Sequence, residues 1–347
     1  MHRGEEMSKK IRLLIVDDSI IFRTMLSKSL NAFNEIEVVD TAGDAFEAKE
    51  KIIKLRPDVV TLDVEMPKMN GIEFLKKLMP EHPIPTVVVT SSPMNAFEAI
   101  SAGAVEFIKK PTKSETDAFI AELAKKVIIA SNARVRRISA ASLKTAAPMS
   151  LTAIASGVKS NKIIAIGAST GGTEALASVL ENLPKTTPGI IIVQHMPAGF
   201  TKMYAERLNR VCNMAAREAA DGDRVETGTI LVAAGEYHLR LHKDTRGFYI
   251  SSKRGDKVSG HCPSVDVMFE SVAEVAKSNA IGIILTGMGS DGAKGLLNMK
   301  KAGAYTIGQD KDTCVVYGMP MVAFNIGAVT KQAPLQGIPK LLMDNLR

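Results

Sequence analysis

The chain has 347 residues, 46% of them hydrophobic, with three cysteines and a formal net charge of +7. Such a length suits two packed cores rather than one, and Cys212, Cys262 and Cys314 lie too far apart for a disulfide framework or a CxxC zinc site. No apolar run reaches the roughly 18 residues of a bilayer-spanning helix and no signal-peptide core precedes the first strand, so a cytoplasmic protein without membrane insertion is expected.

From residue 11 apolar runs alternate with amphipathic stretches. Strands are expected at 11–16, 36–42, 58–63, 85–91 and 105–110, and helices over about 19–32, 45–55, 71–79, 94–102 and 114–130. This alternation implies a parallel sheet covered by helices on both faces. Asp17 and Asp18 follow the first strand, Asp63 ends the third, and Thr90 and Lys110 end the fourth and fifth. All five stand at C-terminal strand ends, where open parallel sheets bind ligands. One aspartate there would be read as a helix cap. Carboxylates grouped with a hydroxyl and an ammonium suit a divalent cation and a phosphoryl group, with an uncovered aspartate as acceptor.

On these residues the stretch 11–130 resembles a response-regulator receiver domain. The resemblance implies that Asp63 is the phosphorylation site, that Asp17, Asp18 and Asp63 hold Mg²⁺, and that Thr90 and Lys110 contact the phosphoryl group. It places the switching aromatic at Phe107, and a commonly cis peptide bond at Lys110-Pro111.

The excess charge comes next along the chain. Residues 121–160 hold seven Lys/Arg against one acid. The Ala/Ser-rich stretch 131-SNARVRRISAASLKTAAPMS-150 therefore reads as a solvated flexible linker. Without an aromatic platform or a DNA-binding motif, nucleic acid is not expected as a partner.

Beyond the linker the alternation resumes, with strands expected at 162–167, 189–195, 228–233, 237–242, 247–251, 281–286 and 304–308; the pair 237–251 reads as an antiparallel insertion. The stretch 162-KIIAIGASTGGTEAL-176 is a strand, a glycine-rich turn and a helix start. A dinucleotide fingerprint would want glycine where Ser169 stands. The same letters fit G-x-S-x-G, a serine presented on a strained turn as a nucleophile. Small turn residues serve structure more often than chemistry, so either reading needs partners elsewhere.

A nucleophilic serine needs a base, and the base a carboxylate. His195 closes 189-GIIIVQH-195, and Asp291 lies in 287-GMGSDGAKG-295, just after another strand. If those strands are parallel, Ser169, His195 and Asp291 project toward one rim. His261, just before the expected helix cap Ser264, competes with His195, and Asp266 competes with Asp291, although an acid is favourable in a first helical turn anyway. Helix-start amides after Ser169, the Thr170 side chain and the backbone around Met288 are candidate oxyanion donors. The order Ser, His, Asp departs from the Ser, Asp, His order of α/β-hydrolases.

With 167-GASTGG-172, 194-QHMPAGFT-201, 261-HCPSVDVMF-269, 285-LTGMGSDG-292 and 314-CVVYGMP-320 in order, residues 161–345 resemble the catalytic domain of chemotaxis protein-glutamate methylesterases. Cys262 stands where that family often has a basic residue. The resemblance implies a Ser169, His195, Asp291 triad with Thr170 and Met288 near the oxyanion. It implies hydrolysis of glutamate γ-methyl esters on methyl-accepting chemotaxis receptors, deamidation of receptor glutamines, a chemotaxis histidine kinase as phosphodonor, and no cofactor for the esterase itself. The expected layout is a receiver at 9–130, a linker at 131–160 and a catalytic domain at 161–347, both domains being doubly wound α/β folds. The rivals are a receiver-controlled transcription factor, which needs a helix-turn-helix output, and a nucleotide-binding module using the 167–172 turn.

Overall fold

The structure is a computed structural model that describes residues 9–111, 115–135 and 162–346. The chain divides into two compact units, Met1–Thr145 and Ala146–Arg347. Most of the expected linker lies outside the described residues.

In the first unit the order is β1 (Ile11–Val16), α1 (Ile20–Leu30), β2 (Ile36–Ala42), α2 (Ala45–Leu55), β3 (Val59–Asp63), α3 (Gly71–Glu81), β4 (Thr86–Thr90), α4 (Pro93–Ser101), β5 (Glu106–Lys109) and α5 (Thr116–Ser131). All pairings are parallel, in the order β2-β1-β3-β4-β5. β3 and β4 are buried along their whole length, as strands covered on both faces must be, which is why they read as unbroken apolar runs. Side chains at the helix starts fix several boundaries: Ser19, Asp44 and Asn70 each accept a backbone N–H from the first turn of α1, α2 and α3.

The second unit runs β6 (Ile163–Ala168), α6 (Gly172–Leu180), β7 (Ile190–Gln194), α7 (Phe200–Val211), β8 (Ala215–Glu218), β9 (Thr229–Val232), β10 (Tyr237–Asp244), β11 (Gly247–Arg254), α8 (Val265–Val275), β12 (Ala280–Ile284), α9 (Ala293–Lys301), β13 (Tyr305–Gln309), α10 (Met319–Asn325), β14 (Lys331–Ala333) and α11 (Ile338–Asp344). Seven strands form a parallel sheet in the order β14-β13-β12-β6-β7-β9-β8, and β10 and β11 pair antiparallel beside it. The chain direction of the sheet reverses its winding at β6, with β7 on one side and β12 on the other. Crevices at such a switch point, outside the carboxyl ends of the strands, are where open α/β sheets bind ligands.

One face of this sheet is sealed by α8 and the hairpin in a continuous apolar cluster that includes Leu239, Leu241, Ile250, Met268, Phe269 and Val272. The hairpin is tied to α8 by the Leu241 N–H donating to Ser271 Oγ at 2.9 Å. Close approach of α8 to β6 depends on Gly167, where an added Cβ would meet Val265 Cγ1 at 2.2 Å. The glycine of the G-x-S-x-G pattern is thus explained by helix packing.

Two expectations of backbone geometry are corrected. The Lys110-Pro111 bond is trans, and among the described residues the cis bond is Cys262-Pro263. The residue with positive φ in the 167–172 turn is Gly171, at 75°, while Ser169 keeps a negative φ. The left-handed turn is carried by the residue that adopts it without a Cβ penalty, so no strain resides at the serine.

Candidate active site

In the first unit, adjacent parallel strands bring the acidic residues together. Val16 pairs with Leu62 and Asp63 with Val89, so Asp17, Asp63 and Thr90 emerge side by side. All three are buried, whereas Asp18 is exposed. Lys110 Nζ donates to Asp63 Oδ2 at 2.6 Å and lies 3.2 Å from Asp17 Oδ2. Burial raises the Asp63 carboxyl above the usual range, helped by Asp17 and opposed by Lys110. One carboxylate oxygen from each of Asp17, Asp18 and Asp63 lies within 4.8 Å of the others. Asp17 Oδ2 is buried and accepts no hydrogen bond of good geometry despite the nearby ammonium. A hard divalent cation fits this donor set, since it satisfies carboxylate oxygens that hydrogen bonds do not. Phe107 is buried and packs edge-on against Phe97, with ring centroids 6.1 Å apart.

In the second unit, Ser169 follows β6, His195 follows β7 and Asp291 follows β12, and these three strands are neighbours in the order β12-β6-β7. Backbone hydrogen bonds carry the alignment past the strand ends: Ser169 N–H donates to Thr286 O at 3.0 Å, and His195 N–H to Ala168 O at 3.1 Å. The buried Gln194 amide clips both turns, its Nε2 donating to Ser169 O at 2.9 Å and to His195 O at 3.2 Å. Opposite, Gly287 backs onto the serine so closely that an added Cβ would lie 2.7 Å from Ser169 Cβ.

The structure joins His195 to Asp291 directly, with Nε2 2.8 Å from Oδ2. A carboxylate only accepts, so Nε2 carries the proton and Nδ1 has the free lone pair. His195 Nδ1 is buried without a hydrogen-bond partner and makes no hydrogen bond to the Ser169 hydroxyl. A basic nitrogen of this kind at the strand end beside a serine is equipped to take a proton from it.

Asp291 is held more firmly than its glycine-rich loop suggests. Its side chain is 1% exposed. It accepts Ser264 Oγ at 2.8 Å, Val265 N–H at 2.8 Å and Asp266 N–H at 3.0 Å, so it occupies the N-terminus of α8. Burial alone would raise its carboxyl, but the His195 bond, the helix-start amides and the Ser264 hydroxyl overcome that and hold it down at about 2. It stays ionised while the imidazole works. Asp266, the rival acid, is committed elsewhere, accepting the Gly295 N–H at 2.7 Å at the start of α9.

His261, the rival base, also reaches the site, in another posture. Its ring lies flat on that of His195, with centroids 3.8 Å apart and planes 4° from parallel. Among the oxyanion candidates, Thr170 is buried, and its carbonyl accepts the Thr286 hydroxyl at 2.9 Å. Met288 is 39% exposed and adjoins Gly287 behind the serine.

Gln194, which the sequence reading passed over, and Ser264, which it read only as a helix cap, both bond to candidate site residues. Both sit in motifs quoted for their neighbours, and a buried amide or hydroxyl beside a catalytic candidate is a signal that could have found them.

Residues 164–342 match a family model described as CheB methylesterase, and residues 13–120 one described as response regulator receiver domain. A protein-glutamate methylesterase/protein-glutamine glutaminase 2 of Syntrophomonas wolfei is 51% identical over 96% of this chain and 97% of its own length. A protein-glutamate methylesterase/protein-glutamine glutaminase of Syntrophotalea carbinolica is 46% identical over 98% of this chain and 99% of its own. The crystal structure of the Thermotoga maritima CheB methylesterase catalytic domain is 41% identical, with a TM-score of 0.52 over 53% of this chain and 97% of that one.

Proposed function

We propose, for a chain that belongs to the CheB methylesterase family and carries a response-regulator receiver ahead of its esterase unit, that Ser169 is the nucleophile, His195 its base and Asp291 the carboxylate that orients the base. The enzyme is a protein-glutamate methylesterase/protein-glutamine glutaminase of chemotactic adaptation, activated through its receiver. The observation that carries the residue assignment is the Nε2 to Asp291 bond, which leaves Nδ1 deprotonated and unpartnered on a residue whose strand end adjoins that of Ser169.

In the acylation step His195 Nδ1 takes the Ser169 proton as Oγ bonds to the γ-carbonyl carbon of a glutamyl methyl ester. The tetrahedral intermediate collapses by breaking the bond to the methoxy oxygen, and the imidazolium returns its proton to release methanol. Water, deprotonated by the same nitrogen, then attacks the acyl-serine and frees the glutamate and the hydroxyl. A glutamine side chain follows the same course with ammonia leaving. The Thr170 and Met288 region supports the oxyanion, since Thr170 follows the serine and Met288 follows Gly287, which packs against it. The charged Asp291, fixed by α8, stabilises the imidazolium without accepting its proton.

In the receiver Asp63 accepts the phosphoryl group and Lys110 and Thr90 contact it. Asp17, Asp18 and Asp63 hold Mg²⁺, which when bound supplies positive charge at the phosphorylated carboxylate. Phe107 couples that event to the surface of the unit, a shift of populations rather than new chemistry. The phosphodonor is a chemotaxis histidine kinase, the substrates are helical segments of methyl-accepting chemotaxis receptors, and the compartment is the cytoplasm. Among the described residues no helix is long and apolar enough to cross a membrane.

The test is methanol release from methylated receptor, with and without a small-molecule phosphodonor and Mg²⁺. The wild-type chain should be stimulated, Asp63→Ala should keep only the basal rate, and Ser169→Ala should fall to the residual rate left without the nucleophile, about 10⁶-fold below wild type. Equal stimulation of Asp63→Ala would overturn the receiver assignment, and retained activity in Ser169→Ala the catalytic one.

A further inference from the structure

We infer that His261 is a positioning residue for the esterase reaction: its ring, stacked on the His195 imidazole, fixes the plane of that base and shares the positive charge the base acquires. The inference rests on the triad reading above and goes beyond it, because nothing in a Ser, His, Asp arrangement requires a second imidazole.

The geometry is specific. With planes 4° from parallel and centroids at 3.8 Å, the rings are in full van der Waals contact. Rotation of His195 about its Cβ–Cγ bond would drive its ring edge into the neighbouring ring, so the stack holds the imidazole with Nε2 on Asp291. His261 is itself anchored. Its Nδ1 lies 2.9 Å from the Ser259 carbonyl oxygen, which can only accept, so Nδ1–H donates and the neutral tautomer is set. Ser259, whose carbonyl anchors the ring, has a positive φ of 52°, so the turn that carries His261 has a backbone shape of its own. Ser264, Val265 and Asp266, just after it, donate to Asp291. One segment, 261–266, therefore holds both the carboxylate and the base.

The charge state matters as much as the shape. Burial first, then the neighbouring His195, push the His261 pKa down to about 4, with Lys257 acting in the same direction and Asp291 opposing. At neutral pH the ring is uncharged and presents a polarisable face. When His195 becomes an imidazolium, a cation arises against a π-face, an attraction present in the transition state and absent in the resting enzyme. A second imidazolium in that place would repel it.

The experiment uses the full-length chain and methylated receptor, comparing His261→Phe, which keeps an aromatic face, with His261→Leu, which keeps apolar bulk without one. The expected result is a kcat loss of about ten- to thirty-fold in His261→Leu, with KM within about two-fold, and recovery in His261→Phe to within about three-fold of wild type. The downfield proton resonance of His195 Nε2–H bound to Asp291 should persist in His261→Phe and broaden in His261→Leu. Circular dichroism establishes that both variants fold. Equal activity of the two variants, whether both high or both low, would overturn the inference. Ser169→Ala in the same assay separates this from the triad reading: activity there would sink the triad, whereas an inactive Ser169→Ala with equal His261 variants would sink the stacking role alone.

Discussion

Replacing Asp291 by asparagine removes a charge without altering shape. The carboxylate is 1% exposed and accepts four hydrogen bonds, from His195, Ser264, Val265 and Asp266. Its pKa in the folded chain is about 2 against an ordinary 3.8. That depression is worth about 2.5 kcal/mol of stability, fully present above about pH 4 and lost as pH falls through about 2. An asparagine in its place accepts at one oxygen only and turns an NH₂ toward groups that also donate. The expected cost at pH 7 is about 2–4 kcal/mol, or about 5–12 °C in the unfolding midpoint of a unit this size. Thermal unfolding of the full chain followed by circular dichroism, wild type against Asp291→Asn, should show that gap at pH 7 and a narrower one at pH 3. Methanol release should fall by about 10³–10⁴, because the imidazole loses its tautomer and its counter-charge. Coincident unfolding curves at pH 7, or activity within ten-fold of wild type, would show that the Asp291 charge holds neither the fold nor the imidazole.

The receiver should behave in the opposite sense. Burial raises the Asp63 pKa to about 6, so its charge costs stability at neutral pH, a cost that shrinks as pH falls through about 6 and is gone below the ordinary 3.8. Asp63→Asn should raise the receiver's unfolding midpoint at pH 7 by the equivalent of about 1–2 kcal/mol, part of the relief being offset by the loss of Lys110's partner. Mg²⁺ titrated during unfolding should stabilise the wild-type receiver more than this variant. Ser264→Ala removes a helix cap and a donor to Asp291 and should cost about 1–2 kcal/mol by chemical denaturation, with a lower kcat. Gly167→Ala should destabilise the esterase unit by about 1–3 kcal/mol through its clash with Val265, and Val265→Ala in the same chain should recover part of that loss.

Both sheets were legible because their central strands are covered on two faces and read as unbroken apolar runs. The strands that escaped, β8 with AARE and β14 with KQA, are the sheet's two edges, half exposed and too short and polar for periodicity to register. Strand ends also told which side chains would gather, since parallel neighbours carry the residues after them to one rim. What a sequence cannot display is a contact between residues far apart in number. Ser264 and Asp291 are 27 positions apart, and Gln194 and Ser169 are 25 apart. His261 illustrates the limit from the other side. Position alone made it a competitor for the role of base, whereas in three dimensions it lies on the face of the histidine it competed with. Gly167 was read through the chemistry of turns, but its requirement comes from Val265, nearly a hundred residues on.

Ser169, His195 and Asp291 are proposed to act as one unit. The most direct test is methanol release by Ser169→Ala compared with the Ser169→Ala/His195→Ala double variant. If the imidazole acts only through the serine, its removal from a chain already lacking the hydroxyl costs nothing further, and the two rates should agree within about three-fold. A double variant slower than Ser169→Ala by the full factor that His195→Ala alone imposes would contradict it, because the two side chains would then be contributing independently.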